Sequence, residues 1–302
     1  MKTVFFRRVN VFTDRAFSGN PLVVVPDAVG LDVEEMQAIA REMGVSETTF
    51  VFSPTVKEAT YKVRIFTPAQ EIPFAGHPSL GTAFVMAELG RFPLVEPSTI
   101  IRQELLVGVL PIELEISGGE VVRVVMTQKE TELGTRVTEI EDLTEALGIE
   151  SLAIQRAGLP IEILSTGVPQ LFVPLPTLDA VSQLRPKFFE LREIERKLGV
   201  IGCCVFSLST HDPTALAHVR FFAPNQNVRE DPATGSAAGG LGAYLAVNKL
   251  LPKSGEFWIE QGEEMGRPSK IHVQVKVNKV GHPYKVKVGG SVMPAMEGSL
   301  SF

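Results

Sequence analysis

Asp231-Pro232-Ala233-Thr234-Gly235-Ser236-Ala237-Ala238-Gly239-Gly240 leads into the apolar run Leu241-Gly242-Ala243-Tyr244-Leu245-Ala246-Val247, and the reading of this stretch decides the fold. Asp231 suits a helix N-cap, Pro232 suits the first helical position, and the small residues after them leave backbone amides uncovered. A helix start of this kind attracts anions, because its first amides have no partner within the helix. No side chain larger than Thr or Ser intervenes between residues 233 and 240, so a ligand could approach closely. The run that follows is apolar on nearly every face, which predicts a helix buried all round. Two readings stand side by side: an anion-binding helix start, or a capped core helix whose glycines serve close packing.

The pattern occurs twice. Val219-Arg220-Phe221-Phe222-Ala223-Pro224 precedes the stretch above, and Val63-Arg64-Ile65-Phe66-Thr67-Pro68 precedes Gly76-His77-Pro78-Ser79-Leu80-Gly81-Thr82-Ala83. Pro224 minus Pro68 is 156 and Asp231 minus His77 is 154, so one two-residue gap aligns His77 with Asp231. Agreement in order and chemistry implies an internal duplication, and so long a period predicts two similar lobes rather than a solenoid. The first copy runs into its own apolar, small-residue helix, Gly81 to Leu89. Two lobes with open helix starts would aim both at a shared cleft, a favoured place for a small-molecule site.

The chain of 302 residues is long enough for two lobes, each with its own core. A hydrophobic fraction of 44% and a formal net charge of −6 without any basic block argue against nucleic acid and anionic membranes as partners. The opening Met1 to Phe6 is cut short by Arg7 and Arg8, too soon for a signal peptide or a membrane span, so a cytoplasmic location is expected. Cys203 and Cys204 are adjacent in an apolar run, which fits a buried strand better than a disulfide or a metal site. The five histidines show no ligand spacing, so no metal is expected.

Many short strands, few helices and no βαβ alternation predict an α+β fold rather than a doubly wound sheet. The Gly118-Gly119 turn marks the expected division into lobes 1–118 and 119–284, with a strand at about 285–302 returning to the first. Two side chains stand out as proton carriers. Glu47 heads a strand of β-branched and aromatic residues; it is either a solvated strand end or, turned into an apolar cleft, a general acid and base. His77 stands beside a helix start and either hydrogen-bonds the local backbone or handles protons.

The turn Gly19-Asn20-Pro21, the segment Ser46-Glu47-Thr48-Thr49-Phe50, and Phe74 through Thr82 resemble the phenazine-biosynthesis isomerase family, often called PhzF-like. Glu230 through Gly239 and Gln261-Gly262 with Gly266-Arg267-Pro268-Ser269 extend the resemblance to the whole chain. It implies a diaminopimelate epimerase-like fold: two pseudosymmetric lobes, each a barrel-like, mostly antiparallel sheet around a central helix. It also implies a homodimer, a small carboxylate substrate and catalysis without metal or cofactor. In the family a glutamate shuttles a proton across a dihydro-hydroxyanthranilate, moving a double bond. By motif that glutamate is Glu47, with His77 and Asp231 as catalytic partners, and Asn20, Gly76, Ser79, Gly235 and Ser236 holding the substrate.

Related epimerases use a cysteine at each helix start, whereas residues 75 to 81 and 233 to 236 contain none, so a two-thiol mechanism is excluded. Ser79 stands where the family often has Thr, and Asn225 to Arg229 is a polar version of a segment that often contains glycine. A cofactor-independent isomerase is the leading expectation. A thiol-free epimerase or racemase of an amino-acid-like substrate, and a carboxylate-binding protein without activity, are the alternatives.

Overall fold

The computed structural model describes residues 1–302, which form two compact units: Met1–Met126 with Gly289–Phe302, and Thr127–Val288. Strands and a few helices make a mixed α+β architecture, and no helix is long and apolar enough to cross a membrane.

The first unit begins with β1 (Thr3–Val11) and β2 (Asn20–Val25), continues through α1 (Val33–Met43), β3 (Glu47–Phe52), β4 (Tyr61–Phe66) and the short β5 (Glu71–Ile72), and reaches α2 (Gly76–Glu88). It ends with β6 (Ser98–Leu105), β7 (Gly108–Ser117) and β8 (Glu120–Thr127). β1 is antiparallel both to β2 and to the last strand of the chain, Val292–Ser301. β2 runs parallel to β3, β3 antiparallel to β4, β4 parallel to β6, and β6 antiparallel to β7. The Gly118-Gly119 turn, expected to divide the lobes, instead closes the β7–β8 hairpin inside this unit, since two consecutive glycines at positive φ suit a tight reversal.

The second unit holds β9 (Glu132–Arg136), α3 (Glu141–Leu147), α4 (Ser151–Ala157), β10 (Glu162–Ser165), β11 (Pro169–Pro174), α5 (Leu178–Ser182), α6 (Phe188–Leu198), β12 (Cys203–Ser207) and β13 (Ala215–Ala223). Then come β14 (Val228–Asp231), α7 (Gly235–Val247), β15 (Glu256–Gln261), β16 (Ser269–Val277) and β17 (Pro283–Gly290); the closing strand of the first unit is β18. The pairings repeat those of the first unit: β10 antiparallel to β9 and β11, β11 parallel to β12, β12 antiparallel to β13, β13 parallel to β15, and β15 antiparallel to β16.

Each unit carries one amphipathic helix and one wholly apolar helix. α1 shows its acidic side to solvent and buries Met36, Ile39 and Ala40 against Phe50 and Phe66. α6 does the same with Leu191 against Phe222 and Val205. α2 is buried from His77 to Ala87 and touches β1, β2, β3 and β7, so the sheet curves around it. α7, likewise enclosed, touches β10, β11 and β16. Glycine permits this close approach: a Cβ at Gly81 would lie 2.6 Å from Leu22 Cδ2 and 2.9 Å from Val11 Cγ2, and one at Gly240 would run into the Phe172 ring.

Two further devices are repeated. Arg64 forks onto Glu71 (2.7 and 2.6 Å), and Arg220 forks onto Glu230 (2.8 and 2.9 Å), each bracing the segment that enters the central helix. Glu104 of β6 accepts hydrogen bonds from the Thr55 amide (2.6 Å) and hydroxyl and lies 3.2 Å from Lys62 Nζ. Glu260 of β15 accepts from the amides of His211 and Asp212 (2.7 and 2.8 Å) and meets His218 Nδ1 at 2.8 Å. Lys62 and His218, and Glu104 and Glu260, are each 156 positions apart (218 − 62 and 260 − 104), so the second copy has a histidine as the cation. Burial alone would lower the His218 pKa, but Glu260 on one nitrogen and Glu264 on the other outweigh it and raise it to about 9.

Stability supplied by a raised histidine pKa is complete below the ordinary value near 6.5 and disappears as pH climbs through the folded-state value. Urea unfolding of the protein is therefore expected to show stability falling between about pH 7 and 10, and His218→Lys is expected to shift that fall upward in pH. An unchanged profile in the variant would show that His218 is not the cation responsible. Gly81→Ala gains about 1 kcal/mol of helix propensity and suffers about 1–3 kcal/mol of overpacking, so net destabilisation is expected in the same assay. Gly76→Ala, with nothing within 4 Å of the added carbon, escapes the packing cost.

Candidate functional site

α2 starts at Gly76, five residues before the expected Gly81, and its N-cap Ala75 offers no side-chain cap. α7 starts at Gly235 with Thr234 at its N-cap, so Asp231 is not the cap that its position suggested. Asp231 closes β14 instead, opposite Phe221, because the strand continues to it before Pro232 ends the pairing. Both helices are thirteen residues long and His77 is second in its helix, so its structural counterpart is Ser236 (236 − 77 = 159) and not Asp231. The forks agree: Glu230 − Glu71 is also 159, while Arg220 − Arg64 is 156, which places three extra residues between β13 and the fork partner, where the Pro224–Gln226 helical turn lies.

In the first unit the structure brings Glu47 and His77 together. His77 Nε2 lies 3.1 Å from Glu47 Oε2, and the two side chains are only 10% and 17% exposed, so Glu47 is not a solvated strand end. β3 delivers Glu47 because its parallel partner β2 sets the register, Leu22 opposite Glu47. The helix is tied to this strand by Thr49 and Thr82, whose hydroxyls are 2.8 Å apart, Thr82 donating onward to the Pro78 carbonyl at 2.7 Å. Gly76 carries nothing within 4 Å of where a Cβ would be, leaving room beside His77. Asn20 is buried at the head of β2, with Ser46 Oγ 3.5 Å from its carbonyl oxygen. Gly19 before it has φ of 72°, and a Cβ there would sit 2.5 Å from the Val11 carbonyl, so only glycine fits. Ser79 spends its hydroxyl on the Ala75 carbonyl at 2.8 Å and is fully buried.

In the second unit Asp231, Gly235 and Ser236 gather at the start of α7. Thr234 Oγ1 donates to Asp231 Oδ2, and Gln261 secures the loop with three bonds: Nε2 to the Asp231 carbonyl (2.7 Å) and to Thr234 Oγ1 (3.1 Å), and Oε1 from the Thr234 amide (3.1 Å). Gln170 of β11 donates to Ser236 Oγ at 2.9 Å. Sequence reading quoted Gln261 without giving it a role and missed Gln170; no local pattern ties either to residues 27 to 66 positions away.

His211, His218 and Glu260 bring ligand atoms within 4.8 Å of one another, a cluster that histidine spacing did not reveal. Both His218 nitrogens face carboxylates, and Lys62 holds the same place beside Glu104, so the cluster is a charge clamp by its chemistry. Cys203 and Cys204 are buried in β12, and burial pushes both thiols up, away from reactivity.

Residues 9–298 match the family model described as phenazine biosynthesis-like protein. The chain belongs to this family. It is 35% identical over 269 residues to the trans-2,3-dihydro-3-hydroxyanthranilate isomerase of Pseudomonas aeruginosa, covering 89% of each chain. The crystal structure of a Bacillus anthracis phenazine biosynthesis protein of the PhzF family superimposes with a TM-score of 0.89 at 30% identity, covering 100% of both chains. A hydroxyproline epimerase from Agrobacterium vitis shares the fold, with a TM-score of 0.66 at 12% identity over 99% of this chain and 92% of that one. Membership of the phenazine biosynthesis-like family makes the chain an isomerase of diaminopimelate epimerase-like fold.

Gln261→Leu is expected to lower the unfolding free energy by about 1–3 kcal/mol, because it leaves the Thr234 amide and the Asp231 carbonyl without their partner. Ser79→Ala removes one bond to a carbonyl and is expected to cost about 0.5–1.5 kcal/mol. Equal losses in denaturant titrations would show that Gln261 is no more than an ordinary hydrogen-bonding residue.

Proposed function

We propose that the chain is a cofactor-independent isomerase that moves a proton and a double bond on a small carboxylic acid of the dihydro-hydroxyanthranilate type, with Glu47 as acid and base. The single observation that carries this reading is the mostly buried Glu47 carboxylate within 3.1 Å of His77 Nε2, beside the open Gly76 helix start. Glu47 takes a proton from one carbon of the substrate and, after exchange with solvent through His77, delivers one to another. The bonding electrons of the broken C–H bond shift along the conjugated system to the carbon that gains the proton, so composition is unchanged and the enol produced tautomerises to a ketone. His77, whose Nε2 faces the carboxylate at 3.1 Å, passes protons to it.

Amides of the α2 start, left without helical partners, stabilise the charge that develops when the proton leaves, and one well-placed donor of this kind is worth about 3–4 kcal/mol. Asp231 belongs to the same proposal as a further catalytic group and Ser236 as a substrate-holding one. The activity for which the Pseudomonas aeruginosa relative is named supports the substrate class.

Incubation with trans-2,3-dihydro-3-hydroxyanthranilate in heavy water, followed by mass spectrometry, tests the proposal. Deuterium is expected at the carbon that gains a proton. Glu47→Gln is expected to reduce incorporation by about 10²–10⁴-fold while melting at the parent temperature, the usual weight of one general acid–base group. His77→Asn is expected to retain more activity than Glu47→Gln. Undiminished exchange in Glu47→Gln would remove the glutamate from the chemistry, and label returned to the carbon that lost the proton, with inverted configuration, would make the reaction an epimerisation.

A further inference from the structure

Gln170 is an anomaly in its strand. β11 is buried along nearly all its length, and Gln170, 1% exposed, is followed by the apolar Leu171, Phe172 and Val173. Its Nε2 donates to Ser236 Oγ at 2.9 Å, while its Oε1 is buried without a hydrogen-bond partner. A glutamine that served packing alone would leave that carbonyl oxygen desolvated to no purpose, where Met or Leu would fill the space without a polar atom.

The bond to Ser236 gives the residue a purpose. A hydroxyl has one hydrogen and two lone pairs, and here the Gln170 amide occupies a lone pair. The Ser236 hydrogen is thereby left to point at something else. Ser236 is second in α7 and half-buried, among helix amides that have no partner inside the helix. The neighbouring hydroxyl is arranged in the same way: Thr234 Oγ1 accepts from Gln261 Nε2 and donates to Asp231 Oδ2. Each of two buried glutamines therefore fixes one hydroxyl at this helix start as a donor.

We propose that Gln170 is a positioning residue that makes Ser236 an obligate donor, so that the start of α7 selects a substrate carboxylate over a neutral amide of the same shape. This deepens the function proposed above and rests on it for the substrate's ring. A carboxylate only accepts hydrogen bonds, whereas a carboxamide presents a donor as well as an acceptor and meets Ser236 less favourably. Gln170→Glu turns the logic round: the new carboxylate takes the Ser236 hydrogen for itself and places a negative charge beside the substrate's. Gln170→Met keeps the volume and removes the donor, releasing the hydroxyl to rotate.

The test is calorimetric titration of the full-length protein with 3-hydroxyanthranilate, with its carboxamide, and with anthranilate and 4-hydroxyproline as further carboxylates, each variant first checked for a parental melting temperature. The parent is expected to prefer the carboxylate. Gln170→Glu is expected to weaken 3-hydroxyanthranilate by about tenfold or more, the size of one charge-assisted hydrogen bond, and to leave the carboxamide within about twofold. Gln170→Met is expected to weaken the carboxylate by a smaller factor, and to have no further effect once Ser236→Ala is present. Unchanged selectivity in both folded Gln170 variants would overturn the proposal, as would a Gln170→Met effect that persists in full with Ser236→Ala. Binding without deuterium exchange would sink the isomerase reading and leave the Gln170 assignment standing. A parent that binds none of the carboxylates would overturn both.

Discussion

A helix with no polar face has to be enclosed, and this constraint organises the molecule. α2 and α7 expose almost nothing along their length, so strands must pass on several sides of each. Strands can come that close only where the helix surface is pared back to hydrogen, at Gly81 beneath Leu22 and at Gly240 beneath Phe172. Interior packing is dense enough that a single methyl group at such a point is felt. At the start of each enclosed helix the first amides are left over, because nothing in the helix can satisfy them.

The helix starts differ between the two copies, although the scaffold is held in common. The Arg–Glu forks and the β6 and β15 carboxylates recur with nearly the same bonds, which marks them as parts of the fold. The second residue of the central helix is His77 in one copy and Ser236 in the other. One can carry a proton and the other can only direct a hydrogen bond. On the function proposed above, the duplicated frame carries a reactive end at His77 and a recognising end at Ser236.

The duplication, the two apolar helices and the buried cysteine strand were legible in the sequence because each is a local pattern: a repeated motif, an unbroken apolar run, adjacent small side chains. The helix starts were less legible. Asp231-Pro232 has the look of a cap, but backbone pairing with Phe221 claimed Asp231 for a strand, and three inserted residues between β13 and the fork partner shifted the correspondence with the first copy. The Glu47–His77 contact joins a strand head to a helix start 30 positions later (77 − 47), and no periodicity encodes it. Gln170 and Gln261 were hidden for a related reason: a buried glutamine announces nothing until its partner is known.

β1 is hydrogen-bonded to β18 with Thr3 opposite Ser301, so the first unit is sealed by the two ends of the chain. Chains are synthesised from the N-terminus at about 5–20 residues per second, and domains commonly fold in that order. Here the order is inverted. Every residue of Thr127–Val288 has been made before Val292–Ser301 appears, so the later unit can close while the earlier one still shows β1 an unpaired edge. Open edges invite pairing with other chains. The β1 edge is thus open to other chains from the completion of the second unit until Val292–Ser301 arrives to cover it.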